Sequence, residues 1–194
     1  MSPMAGRPGA EPRIRILRGR VLTFIEEPQT RDDQASYRYF EDGLVAIDVI
    51  EGDILAVGPW GDGPKWYDGT PPEIIDHRPN LILPGFIDTH IHFPQMQVIG
   101  AYAAALLEWL NTYTFVEEQR FADFAHAKRI ASRFFDELIR HGTTTAAAYC
   151  SVHPQSVDAF FEEAEARDML MVAGKVMMDR NAPCLLYTSP SPRD

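Results

Sequence analysis

Between residues 13 and 60 the chain alternates short apolar, β-branched runs with polar breaks. RIRILRGRVLTFI (13–25) and, beyond the polar stretch 26–38, GLVAIDVIEGDILAVGPW (43–60) predict β-strands, with Glu51-Gly52-Asp53 as a turn between two of them. Such a pattern predicts a small antiparallel unit. From Asn80 the texture changes, and LILPGFIDTHIH forms a near-continuous apolar run of the kind expected for a strand covered on both faces, as in a parallel sheet. The period then becomes helical. FADFAHAKRIASRFFDELIR (121–140) places Phe121, Phe124, Ile130, Phe134, Phe135, Leu138 and Ile139 on one face, and His141 with Gly142 supply a last-turn base and a C′ glycine. TTTAAAYC (143–150) predicts a second strand, QSVDAFFEEAEARD (155–168) a second amphipathic helix and MLMVAGKVMM (169–178) a third strand. Repeated βα units imply a parallel sheet, either doubly wound or a (β/α)8 barrel. No G-x-G-x-x-G or Walker lysine loop follows any of the strands, which weighs against a doubly wound nucleotide-binding fold.

The punctuation divides the chain into a Pro/Gly-rich N-terminus (1–12), expected to be disordered, a β-domain (13–80), a βα-repeat domain (81–183) and a tail. The tail, CLLYTSPSPRD (184–194), has no periodicity. As protein it reads as a loop, but in reverse translation it reads as the transposase adapter used in sequencing-library preparation. The expectation is that it is translated adapter, that the natural sequence runs to near Pro183, and that the segment has no place in fold reasoning.

Composition narrows the function. With 45% hydrophobic and 24% charged residues in 194, the chain has the profile of a soluble globular protein with a sizeable core. Neither a bilayer-length apolar run nor a secretory h-region occurs, so the expected location is the cytoplasm, with no membrane partner. A formal charge of −10 argues against nucleic acid or anionic lipid and in favour of a small-molecule partner. Cys150 and Cys184 are too few for a disulfide framework and lack C-x-x-C spacing, so a metal would have to be held by His, Asp or Glu.

The candidate chemistry lies in FIDTHIHFPQ (86–95). Side chains alternate along a strand, so Asp88, His90 and His92 project to one face, and two imidazoles two residues apart can each reach one ion at the Zn–N distance of about 2.0–2.1 Å. Pro94 stops the ladder just beyond, where a barrel strand would open onto its catalytic face. A metal there can make hydroxide available near neutral pH. Taken alone, H-x-H is more often merely two polar residues at a strand end; the apolar strand before it and the βα units after it favour the metal.

PGFIDTHIH resembles the first barrel strand of the amidohydrolase superfamily, whose members are metal-dependent hydrolases on a (β/α)8 barrel with a small β-sandwich built from both chain termini. Within the superfamily, THIHFPQ (89–95), LLEWLNTYTF (106–115), EEQRF (117–121), HGTTTA (141–146) and GKVMMDRNAP (174–183) together resemble the guanine-deaminating members, over essentially the whole of 13–183. The resemblance implies a partial sandwich at 13–80 and about the first three βα units of the barrel at 81–183. It implies zinc-dependent hydrolysis of guanine to xanthine and ammonia, with one Zn2+ per site. His90 and His92 match two zinc ligands, and Gln95 matches a substrate-contacting glutamine whose amide offers a donor and an acceptor to a purine edge; otherwise Gln95 is a solvated loop residue. Trp109 and Tyr113 are either walls of the purine pocket or core aromatics, with Trp109 the candidate for substrate binding. His153 is placed near the barrel mouth or on the surface, and His77, His126 and His141 are read as structural or exposed. Asp88 is read as a hydrogen-bond acceptor behind the ligands or a polar residue inside the barrel, and Lys175 as part of a structural or polar network.

Further histidines, an aspartate and a proton-shuttling glutamate, which such a site takes from later strands, have no match here; a whole barrel needs about 250 residues. The chain by itself is therefore expected to be inactive. The alternatives are an aminohydrolase of the same superfamily acting on a triazine, pyrimidine or adenosine-like substrate, and a non-catalytic barrel scaffold. The resemblance also suggests a homodimer.

Overall fold

The computed structural model describes residues 12–62, 70–178 and 182–187. It divides into two compact units between Pro84 and Gly85. The disordered N-terminus expected for 1–12 lies, apart from Pro12, outside the described residues, as do positions 188–194 of the expected adapter segment and 179–181 of the GKVMMDRNAP motif.

The first unit is a four-stranded sheet of β1 (Ile14–Phe24), β2 (Tyr37–Asp48), β3 (Ile54–Pro59) and β4 (Glu73–Ile82), in the order β3-β2-β1-β4. Strands β1, β2 and β3 are antiparallel neighbours, as the pattern predicts, but β4 runs parallel to β1, so the unit is mixed rather than purely antiparallel. Two boundaries also differ. Tyr37 and Arg38, read as the end of the polar stretch, pair with β1 together with Tyr39 and Phe40, so β2 begins at Tyr37. Residues through Ile82 belong to β4, so the apolar run from Asn80 is two strands and not one. Pro84 and Gly85 separate them: proline cannot donate to a ladder, and a Cβ on Gly85 would lie 2.1 Å from Thr144 Oγ1. The turn at 51–53 forms as expected. Asp48 accepts hydrogen bonds from the backbone of Ile50 and Glu51, and Gly52 takes φ +80°. Ile16, Leu44 and Ala46 form this unit's small core, with Ile14, Ala56 and Trp60 against them.

The second unit holds three parallel strands, β5 (Phe86–His92), β6 (Thr143–Tyr149) and β7 (Met171–Gly174), adjacent in that order. Between β5 and β6 the chain forms a 3-10 turn (Phe93–Val98), α1 (Leu106–Trp109), a π-helical turn (Leu110–Thr114), α2 (Phe115–Glu118) and α3 (Phe124–Arg140). Helix α3 starts after the predicted position because Asp123 caps it, accepting from Ala125 N at 2.9 Å, while Phe121 belongs to the preceding 3-10 turn. It ends as predicted at Gly142, φ +80°. Helix α4 (Pro154–Ala166) joins β6 to β7.

The main core lies between these helices and one face of the sheet. Phe93, Phe121, Phe134, Phe135 and Phe160 cluster there with Ala146, Ala148 and Met171 from the strands. The expectation that both faces are covered does not hold among the described residues: Ile87 is 69% exposed and Val172 66%. Their apolar character suits a buried face, but the described helical layer packs on the opposite one. Near the end of the chain, Leu186 is fully buried against Phe115 and Val152.

Candidate metal centre

The two histidines sit at a local irregularity. Strand β5 pairs with β6 through Asp88↔Ala146 and then Ile91↔Ala148, so one extra residue bulges out of β5 between them. The His90 amide donates to Asp88 Oδ1 at 2.9 Å. Asp88 thereby fixes the backbone of a histidine, consistent with its reading as an acceptor behind the ligands. The imidazoles converge, with Nε2 of His90 and Nε2 of His92 3.3 Å apart. Two ligands about 2.0–2.1 Å from one ion, at the tetrahedral angle, are separated by about 3.3–3.4 Å. The pair is thus spaced as two nitrogen ligands of one zinc ion would be. Tyr149, at the end of β6, stacks on His92 with ring centroids 4.7 Å apart and an interplanar angle of 16°, and lies 5.0 Å from the His90 ring. Burial, and secondarily the neighbouring His90, lowers the pKa of His92, which favours the neutral imidazole that a metal needs. Among the described residues no group of three or more His, Cys, Asp or Glu could hold a metal ion, so the fit is that of two ligands and not a full set.

His92 leads directly into the 3-10 turn that carries Gln95. Phe93 is fully buried and meets Phe121 edge-on at 5.1 Å, while Gln97 donates to Glu117 Oε1 at 2.6 Å, so both sides of Gln95 are anchored. Glu117 also accepts from Arg120 at 2.7 Å and contacts His126 Nε2 at 2.9 Å. Beside this turn lies a cavity of about 380 Å³ whose lining includes His92, Gln95, Leu110, Thr114, Glu118 and Tyr149. Glu118 is 4% exposed; burial pushes its carboxyl up to about 7 despite a hydrogen bond from the Gln95 side chain. Its Oε2 and the Oγ1 of Thr114 are buried without hydrogen-bond partners.

The remaining candidates are dispersed. Trp109 donates its indole N–H to the Ala101 carbonyl at 3.0 Å, and its neighbours Leu107 and Leu110, not its ring, line the cavity. Tyr113 is half-buried and is not among the lining residues either. His153 caps the start of α4 with its Nε2 buried and unpartnered. His126 is buried in the Glu117 network, His141 is exposed against the Glu137 carbonyl, and His77 lies in β4 of the other unit. Lys175 is exposed, in a groove with Thr89 and Tyr149. Sequence reasoning passed over Tyr149, Thr114 and Glu118. The available signal was spacing: Leu107, Leu110, Thr114 and Glu118 fall three or four residues apart, one face of a helix that starts apolar and ends polar.

The described site is thus a convergent imidazole pair at the end of the first strand of a parallel βα sheet, next to a cavity. Residues 81–193 match the model of the amidohydrolase family, and the chain belongs to that family. The three parallel strands and their helices are accordingly part of its (β/α)8 barrel. Similar proteins within the family include guanine deaminases. That of Escherichia coli K12 is 45% identical over 183 residues, covering 92% of this chain and 40% of the relative. The crystal structure of guanine deaminase from Bradyrhizobium japonicum superposes with a TM-score of 0.80 at 36% identity, over 91% of this chain and 38% of that one. That from C. acetobutylicum, solved with guanine bound in the active site, gives 0.73 at 33% identity, over 90% and 39%. The chain spans about 40% of the length of the bacterial relatives it matches. No helix among the described residues is long and apolar enough to cross a membrane.

Proposed function

We propose that the whole protein is a zinc-dependent guanine deaminase, converting guanine and water to xanthine and ammonia. The carrying observation is the 3.3 Å separation of the His90 and His92 Nε2 atoms beside the cavity that holds Gln95. His90 and His92 would hold the zinc, together with ligands from outside the described residues. When bound, zinc activates water for attack near neutral pH.

The chain's own residues then do three things. Asp88, through the His90 amide, and Tyr149, through stacking on His92, hold the imidazoles convergent. Gln95 contacts a purine edge with its amide, which offers both a donor and an acceptor. The apolar wall of Leu107, Leu110 and Phe115 excludes bulk water from the base. In the overall reaction the water oxygen bonds to C2 of the purine, the C2–N bond breaks, and the amino group leaves as ammonia after protonation. Trp109 has no part in this scheme, because its indole is engaged by Ala101.

The test is guanine turnover and zinc content of the whole protein. One tightly held zinc per site with xanthine formation is expected; a zinc-loaded protein that leaves guanine unchanged overturns the proposal. The 194-residue chain alone, lacking a three-ligand cluster among its described residues, is expected to show no turnover in the same assay.

A further inference from the structure

Two adjacent acids in EEQRF have opposite surroundings. Glu117 is saturated by Gln97, Arg120 and His126. Glu118 forms no ion pair among the described residues, is 4% exposed, and keeps Oε2 buried and unpartnered. Thr114, one turn earlier on the same face, likewise keeps its Oγ1 unpartnered. Both line the cavity shared with His92 and Gln95. An unpaired carboxyl at such a place weakens the fold, so packing does not account for it. Among the described residues its hydrogen-bond partner is the Gln95 side chain, which lines the same cavity.

Once ionised, the Glu118 carboxylate only accepts hydrogen bonds and so takes the NH2 end of the Gln95 amide. Gln95 is then left with its carbonyl oxygen and one N–H for a ligand, in a single left-to-right order. Every edge of a purine presents donors and acceptors in a fixed order too, and an amide turned over would read the base turned over. We propose that Glu118 is a positioning residue that locks the Gln95 amide in one orientation and thereby decides which ring carbon of the purine faces the histidine pair. This rests on the guanine-deaminase reading above, in which Gln95 contacts the base. A glutamine at 118 offers Gln95 either a donor or an acceptor, so the lock is lost while shape is kept.

The experiment is a double-mutant cycle in the zinc-loaded whole protein at pH 8, where the Glu118 carboxyl is ionised, with wild type, E118Q, Q95A and the double variant assayed on guanine and zinc content measured for each. E118Q is expected to lower kcat/KM on the order of tenfold to a hundredfold, mostly through KM, with zinc content unchanged. In the Q95A background the same change is expected to have almost no further effect, because Glu118 acts through that amide. A merely structural role would lower activity by the same factor in both backgrounds. Should E118Q lose zinc, E118M takes its place in the same cycle. Wild-type protein that leaves guanine unchanged removes the underlying reading and this proposal with it. Wild-type turnover with independent effects at 95 and 118, or with none at 118, overturns the Glu118 assignment alone.

Discussion

Replacing Glu118 by glutamine should make the fold more stable, and only above a definite pH. Burial raises the carboxyl from 4.5 to about 7, with the Gln95 hydrogen bond opposing in part. A carboxyl whose folded pKa is raised contributes most favourably below its unfolded value, and that contribution is lost as pH rises through the folded value. Between about pH 4.5 and 7 the native state binds the extra proton, so wild-type stability falls with pH across that window. The interval corresponds, at about 1.36 kcal/mol per pH unit, to about 3 kcal/mol by pH 8. Glutamine keeps the shape and has no charge to bury. Urea denaturation of wild type and E118Q, both zinc-loaded, at a series of pH values from 5 to 8 reads the difference directly, since the histidines and other groups titrate in both proteins and cancel. E118Q should gain about 2.5 kcal/mol relative to wild type between the ends of the series. Parallel stability curves would show that Glu118 does not titrate in this window and would refute the reasoning. Combined with the expected loss of kcat/KM, the variant trades activity for stability.

Three further outcomes follow from the same region. His90→Ala removes one end of the 3.3 Å ligand edge and should abolish stoichiometric zinc, read by elemental analysis after dialysis, with the β5 backbone intact by circular dichroism. Phe93→Ala empties the centre of the aromatic cluster and should cost about 3–5 kcal/mol in denaturant unfolding, with loss of zinc affinity because His92 is its neighbour. Glu117→Gln removes the charge that Arg120 and His126 share and should cost about 2–3 kcal/mol, while leaving a purified, folded protein with zinc bound.

The histidine pair was legible because a period of two is a property of any strand, and H-x-H at the end of an apolar run needs no tertiary information to place both imidazoles together. Its refinement was not legible. The bulge between Asp88 and Ile91 depends on register with β6, more than fifty residues away in the chain, and FIDTHIH does not announce it. The parallel order of the three strands followed from alternating periods, whereas the parallel placement of β4 against β1 is a non-local choice that GLVAIDVIEGDILAVGPW cannot encode by itself. LILPGFIDTHIH misled because two apolar strands abut; Pro84-Gly85 was the punctuation, and an apolar run on both sides hid it. Glu118 was hidden by its company. An acidic pair before Gln-Arg has the look of a solvated helix end, and only the folded burial of Glu117 and Glu118 shows that these acids are inside.

In the function proposed above, the turn that begins at Phe93 puts the proposed metal ligand His92, the core anchor Phe93 and the proposed substrate reader Gln95 within four consecutive residues. The spacing between metal and purine reader is thus a length of covalent backbone, not the meeting of two elements that could drift apart. Laboratory evolution of this protein should therefore find new amine substrates by exchanging the side chain at 95 or its partner at 118. A single-residue insertion or deletion between 92 and 95 should be lethal to every activity at once, even though short surface turns elsewhere ordinarily tolerate such changes.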